Sequence, residues 1–361
     1  MFKKRISYIA VLLSLLVLLT GSVGATKPEK LTLTNAVDMA LEKNIDLKIA
    51  KITYENAKID YKKNKANNLM AGSRYTGLQN EYSLIQAKQN YDNQKDQIII
   101  QTVNEYMKIL QSNLNIEVNK KQLELEEKIL NDINTQYKRG HKSKLEVLKQ
   151  ENKTHNVESN LEKAKNDYIQ LLKEFKTRLG IEEEKNIILE NVEMVNELKF
   201  AEDTAVEKGL TSSETLKLHQ KKIELAKVDL NRAQATTTPE LDLKKLKNNL
   251  KMTELQYKKE RLTLTNSIQN QLYQYQQSLK TLQLSKKNLN EALENYQIVN
   301  EQKKAGLKTK NDLLSARLNV MQNKKDRLLK LSNYINNALQ LNKTIGDDLR
   351  GILNDLVTKK K

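Results

Sequence analysis

Ile109, Ile116, Leu123, Leu130 and Tyr137 recur every seven residues along a stretch without proline. Tyr275, Leu282, Leu289 and Tyr296 repeat the spacing in the second half of the chain. An apolar repeat of seven keeps one seam facing a partner only if helices wind around each other in a left-handed supercoil. The chain must therefore fold into long paired helices, each burying a narrow stripe. The first series predicts a helix from about Glu81 to Lys138, the second one from Glu240 to Lys304. At about 1.5 Å per residue, such helices approach 90 Å. That length has no use in a compact domain and suits a tube wall, a spacer or a rod.

The two series belong to a tandem duplication. LKIAKITYENAKIDY (47–61) aligns with LKLHQKKIELAKVDL (216–230) at an offset of 169. At an offset of 166, Gly140 meets Gly306, Leu148 meets Leu314, Tyr168 meets Tyr334 and Gly180 meets Gly346. A constant offset over many positions marks a repeat. The predicted units are residues 26–189 and 190–346, followed by a basic tail, 347–361. Each unit holds a first helix (about Thr34–Leu69 and Ser213–Ala235), a break (70–80 and 236–239), the long helix, a glycine turn and a returning helix. The predicted fold class is all-α: two copies of a long antiparallel coiled-coil hairpin with little or no β-structure.

The turns carry helix punctuation. Gly140 and Gly306 sit where a helix ends in a left-handed cap. Ser143 and Thr309 then cap the returning helix, with Glu146 and Asp312 three residues on, as in a capping box. In the second break, Thr238 and Pro239 read as cap and first position of the next helix.

Composition matters for where such a chain works. Lys3, Lys4 and Arg5 precede an apolar run from Ile6 to Leu19, and Val23-Gly24-Ala25 fits a cleavage site before Thr26. The uncharged stretch is also long enough to stay in place as an anchor. Either outcome predicts export. There is no cysteine, so packing alone holds the fold. The net charge is +17, and the three leader bases account for part of it. In an exported protein the natural counter-charges are anionic lipid head groups or wall polymers. Nucleic acid ranks low, because no aromatic stacking cluster accompanies the lysines.

No catalytic constellation is visible. His141, His155 and His219 lie apart from one another at spacings that suit no metal, and the glycines are single, so no phosphate-cradling loop forms. Glu182-Glu183-Glu184 reads as a solvated linker. The expectation is a non-enzyme with no cofactor and no metal.

With these features assembled, the chain resembles the TolC-like outer membrane efflux proteins. LTLTNAVDMALEKNIDLKIAK (31–51) is similar to the family's opening, and YKRGHKSKLEVLKQEN (137–152) and AGLKTKNDLLSARLNVMQ (305–322) are similar to its hairpin tips. The resemblance implies a homotrimer whose helices form a tunnel, with tips that meet a membrane-fusion adaptor serving an inner-membrane exporter. It implies adaptor contacts at Ala305, Gly306 and Leu307, and at Arg139, Gly140 and His141, where His141 replaces the expected apolar residue. It implies gate-lining charges at Glu146 and Asp312, opposed by Lys142, Lys144, Lys308 and Lys310. The family's position is the outer membrane and periplasm. The family inserts a pair of transmembrane strands at each break. Each spanning strand needs about 9 to 11 residues, and neither break here is long enough, so the barrel is expected to be missing. An exported coiled-coil spacer or adaptor with no lumen is the alternative reading of the same helices.

Overall fold

The computed structural model describes residues 29–192 and 196–357. The expected export leader and cleavage site, and the last four residues of the basic tail, lie outside them. Nine helices and two three-residue strands occur among the described residues. They are β1 (Glu29–Leu31), α1 (Leu33–Lys43), α2 (Ile45–Ala71), α3 (Arg74–Lys138), α4 (Lys144–Leu179), β2 (Ile187–Leu189), α5 (Glu202–Ser212), α6 (Glu214–Gln234), α7 (Glu240–Lys304), α8 (Lys310–Thr344) and α9 (Leu349–Val357). The all-α reading holds, and the β-structure is one short parallel pair joining Glu29 to Ile187 and Leu31 to Leu189. No described helix is long and apolar enough to cross a membrane.

The two longest helices, α3 and α7, each have 65 residues, about 100 Å. Between them the helices form a single layer. At one end the order is α2, α3, α6, α7; at the other it is α4, α3, α8, α7. Helix α3 is therefore central throughout, and α7 is an edge throughout. The sequences explain the difference. Helix α3 carries two apolar seams: Ile116 is buried against Leu161 and Ala164 of α4, while Leu125, seven residues past Val118, packs on Leu314 and Leu318 of α8. Helix α7 turns one buried stripe, including Ile268, Tyr275 and Leu282, to its neighbours.

A collar of short elements wraps the middle of the layer. Helices α1, α5 and α9 and the strand pair join the core of the long helices around Ile99, Tyr106, Phe175, Ile268 and Leu339. The Tyr106 hydroxyl lies 2.7 Å from the carbonyls of both Leu31 and Glu190, pinning the segments on either side of the strand pair. Tyr275, at the offset of 169, fixes the linker of the second half: its hydroxyl donates to the Leu198 carbonyl at 2.8 Å and lies 2.9 Å from that of Tyr334. Burial raises the pKa of all three phenols above the ordinary tyrosine value.

Several local expectations are corrected. The first helix is two helices. Asn44 adopts extended geometry, and its side chain accepts from the Leu47 N–H at 2.8 Å, so it ends α1 and starts α2. The first break shrinks to Gly72 and Ser73: Ser73 caps α3, and Gly77 lies inside that helix with its N–H bonded to the Ser73 carbonyl. In the second break Pro239, not Thr238, occupies the cap position without a side-chain cap; the Thr238 hydroxyl pairs with Thr236 instead. The tail is not a mere basic extension. Leu349, Leu353 and Leu356 are fully buried, and Arg350 makes a two-pronged ion pair with Asp38 of α1.

Candidate functional site

The candidate site is the end of the layer where both hairpins turn. Helix α3 closes with Gly140 at φ +77°, its N–H donating to the Tyr137 carbonyl and that of His141 to the Gln136 carbonyl, each at 2.9 Å. Helix α7 closes the same way: Gly306 is at φ +76° and the Leu307 N–H donates to the Gln302 carbonyl at 2.9 Å. Glycine suits the left-handed geometry because it lacks Cβ.

Both returning helices begin with a complete capping box. Ser143 accepts from the Glu146 N–H, and the Glu146 carboxylate accepts from the Ser143 N–H at 2.8 Å. Thr309 and Asp312 repeat the pair, with the Thr309 N–H on the carboxylate at 2.8 Å. Lys142 adds an ion pair to Glu146 at 2.6 Å. These contacts, Lys142 first and the Ser143 N–H next, hold the Glu146 carboxyl down to about 2. The Thr309 N–H and hydroxyl hold Asp312 below the usual carboxylate range. Both carboxylates are thus occupied within their own turns. Lys144, Lys308 and Lys310, and all of Arg139, Gly140, His141, Ala305, Gly306 and Leu307, are exposed.

The two tips sit side by side. The Asn311 amide donates to Asp132 at 2.9 Å, and Lys325 donates to Asn115 at 2.6 Å. Below the tips, Glu126 is only 1% exposed. It accepts from Gln150 and pairs with Lys153 at 3.1 Å. None of these tie residues carries a motif in the sequence. The seven-residue step from Val118 to Leu125 and the four-residue step from Leu314 to Leu318 were the readable signals for the second seam.

Residues 240–347, which are α7, the second tip and α8, match the model of the outer membrane efflux protein family. Solved structures extend the likeness over the fold. VceC, an outer membrane protein of Vibrio cholerae, superimposes with a TM-score of 0.62 at 12% identity, over 88% of this chain and 96% of that one. The Campylobacter jejuni outer membrane channel CmeC gives 0.63 at 15% identity, over 90% and 88%. The fold is TolC-like. No curated protein matches the sequence. The TolC-like fold here contains, among the described residues, no strands at either break; the loop of two residues at Gly72–Ser73 and the one between α6 and α7 leave no room for them. The family match covers the second tip and not the first, in keeping with the closer resemblance of Ala305-Gly306-Leu307.

Away from the tips, the collar holds a polar hollow of about 430 Å³ between α3, the α5–α6 junction and the end of α8. Lys88 binds Asp92 and Glu214 there, and Lys95 binds Asp348. Asp96 lines it, and burial raises its carboxyl to about 6 against the pull of Lys343 and Lys95.

Proposed function

We propose that several copies of this chain close into a passive helical conduit or collar of the cell envelope, an efflux or secretion component whose hairpin tips engage a membrane-fusion adaptor and, through it, an inner-membrane exporter. One observation carries the reading: the layer has two open edges, and both are apolar. On α7, Met252, Leu255, Leu262, Tyr273, Leu284 and Ile298 are all more than half exposed. At about 100° per residue they fall within an arc of about 80°. On the opposite edge, Ile45, Ile49, Ile52 and Ile59 of α2 form a second stripe of similar width, each more than half exposed.

An isolated polar-coated rod gains nothing from such stripes. Different edges meeting head to tail generate a ring when the rotation closes, and a closed ring of such layers encloses a lumen. Three copies is the number the family resemblance implies. The tips then gather at one end, where Leu307, 76% exposed, supplies the apolar contact to an adaptor. Glu146, Asp312 and the lysines around them face their counterparts in neighbouring copies.

The test is mass by light scattering together with adaptor capture. The chain from Thr26 onward should form a small closed oligomer, and Leu255→Lys with Leu262→Lys should leave a helical monomer. Leu307→Asp should keep the oligomer and lose binding to a membrane-fusion adaptor. A wild-type chain that stays monomeric and ignores that adaptor ends the proposal.

A further inference from the structure

The end of the layer opposite the hairpin tips has its own chemistry. It finishes at Gly72–Ser73 and at the loop between α6 and α7. The two lie at the same end, because Arg232 near the close of α6 stacks over Tyr75 at the start of α3, 5.5 Å from its ring. From 61 to 80 the chain carries Lys62, Lys63, Lys65 and Arg74 and no acid. From 230 to 252 it carries Arg232 and four lysines against Glu240 and Asp242. Nine bases against two acids leave +7. All nine bases are exposed, and none of them makes an ion pair among the described residues. The hairpin-tip end is basic too, with Lys144, Lys308 and Lys310 exposed, but there Lys142 is paired with Glu146 and Lys304 with Glu301.

Two leucines complete the patch. Leu69, three residues before Gly72, is 81% exposed, and Leu241, two residues after Pro239, is 80% exposed. No other large apolar side chain among the described residues is as exposed. Leu69 also lies outside the stripe formed by Ile45 to Ile59, about 80° beyond its edge, so pairing along that stripe does not cover it.

We propose that this blunt end docks on an anionic phospholipid surface, its lysines and arginines on the phosphates and Leu69 and Leu241 dipping below them. Loops this short cannot span a bilayer, which takes strands of about 9 to 11 residues, so the contact is with one face. Unpaired bases alone would serve any polyanion. Outermost leucines serve only a surface with an apolar layer beneath its charges. The docking does not depend on ring closure, since each copy carries the whole patch.

The experiment is co-sedimentation of the chain from Thr26 onward, which holds every described element and omits the apolar leader. It uses vesicles of phosphatidylcholine alone and vesicles enriched in phosphatidylglycerol. Binding should need the anionic lipid. Each of Lys63→Glu, Arg74→Glu and Lys245→Glu should weaken it about fivefold or more, as expected for a base near an anionic surface. Leu69→Ser with Leu241→Ser should weaken it about tenfold, with circular dichroism unchanged. Lys142→Glu with Lys308→Glu, at the other end, should leave it intact. Equal binding to neutral vesicles, or equal loss from the variants at the other end, overturns the proposal. So does retention in the leucine variant, which would make the patch a site for soluble or wall polyanions.

Discussion

The Gln150 amide donates to the carboxylate of Glu126 at 2.8 Å, across the first hairpin and out of reach of bulk water. At the offset of 166 the second hairpin has Ala292 and Ala316 at these positions, both buried. The same level of two related hairpins is held in one by a polar pair and in the other by small apolar residues. A buried carboxylate is tolerated only with its partners in place. Gln122 and Lys153 supply the rest of the set, at Oε1.

Removing one partner therefore hurts more than removing both. Gln150→Ala should destabilise the first hairpin by about 1–3 kcal/mol, because it strands a buried acceptor. Glu126→Ala with Gln150→Ala, which copies the second hairpin, should recover most of that loss. Thermal melts followed by circular dichroism check the order. A double variant worse than the single one would refute it.

Two glycines with the same backbone should respond differently to alanine. Gly306 has φ +76° and open space where a Cβ would go. Gly306→Ala should cost about 1–2 kcal/mol, the price of left-handed geometry alone. Gly346 has φ +83°, but a Cβ there would run into Oγ and Cβ of Ser212. Ser212 is itself tied to the Ile345 carbonyl at 2.8 Å. Gly346→Ala should cost about 3 kcal/mol, adding overpacking to strain. The readout is the difference in melting temperature between the two variants.

What the sequence revealed follows how regular each signal was. The bounds of α7 and the glycine ends of α3, α4 and α7 were legible, because a seven-residue apolar repeat and a Gly-to-Ser/Thr turn are local and strong. Asn44 was missed because one side chain both ends a helix and starts the next, with no glycine or proline to mark it. Gly77 misled in the other direction, since a helix start tolerates glycine once Ser73 caps it, and here a side chain would crowd Asn68. The strand pair was invisible: three residues each, brought together over more than 150 residues of intervening chain by Tyr106. The tail was readable in principle, because Leu349, Leu353 and Leu356 follow helical spacing. At the tips, the residues that cap each turn were found from the chain itself. Asp132 and Asn311, which hold the tips together, were not, because a contact between hairpins leaves no trace in the local pattern.

Acid should change the collar through Asp96. Its carboxyl titrates at about 6 in the fold against 3.8 ordinarily, chiefly from burial. A carboxyl raised in the folded state binds its proton more tightly there than in the unfolded chain. Its contribution is therefore fully present below about pH 3.8 and lost as pH rises through 6. Asp96→Asn should raise the melting temperature at pH 7 to 8 and leave it nearly unchanged near pH 4. An equal gain at both pH values would show that charge burial is not the cause.

The open edges make a sharper prediction about which residues meet. Asn64 bonds Asn80, Glu81 pairs with Lys221, and Gln220 bonds Tyr257. These links set the heights of α2, α3, α6 and α7 along the layer, and they place Ile59 of α2 level with about residue 260 of α7. Ile59 and Leu262 are 62% and 66% exposed on opposite edges. Copies related by a rotation about the long axis share these heights, so Ile59 of one copy should approach Leu262 of the next. The chain has no cysteine of its own. Ile59→Cys with Leu262→Cys, oxidised and run on a non-reducing gel, should give a ladder that ends at the ring size. Neither single variant should cross-link, because a head-to-tail contact never brings one position against itself. A dimer from either single variant would mean two-fold pairing of like edges, and a layer paired that way encloses no passage.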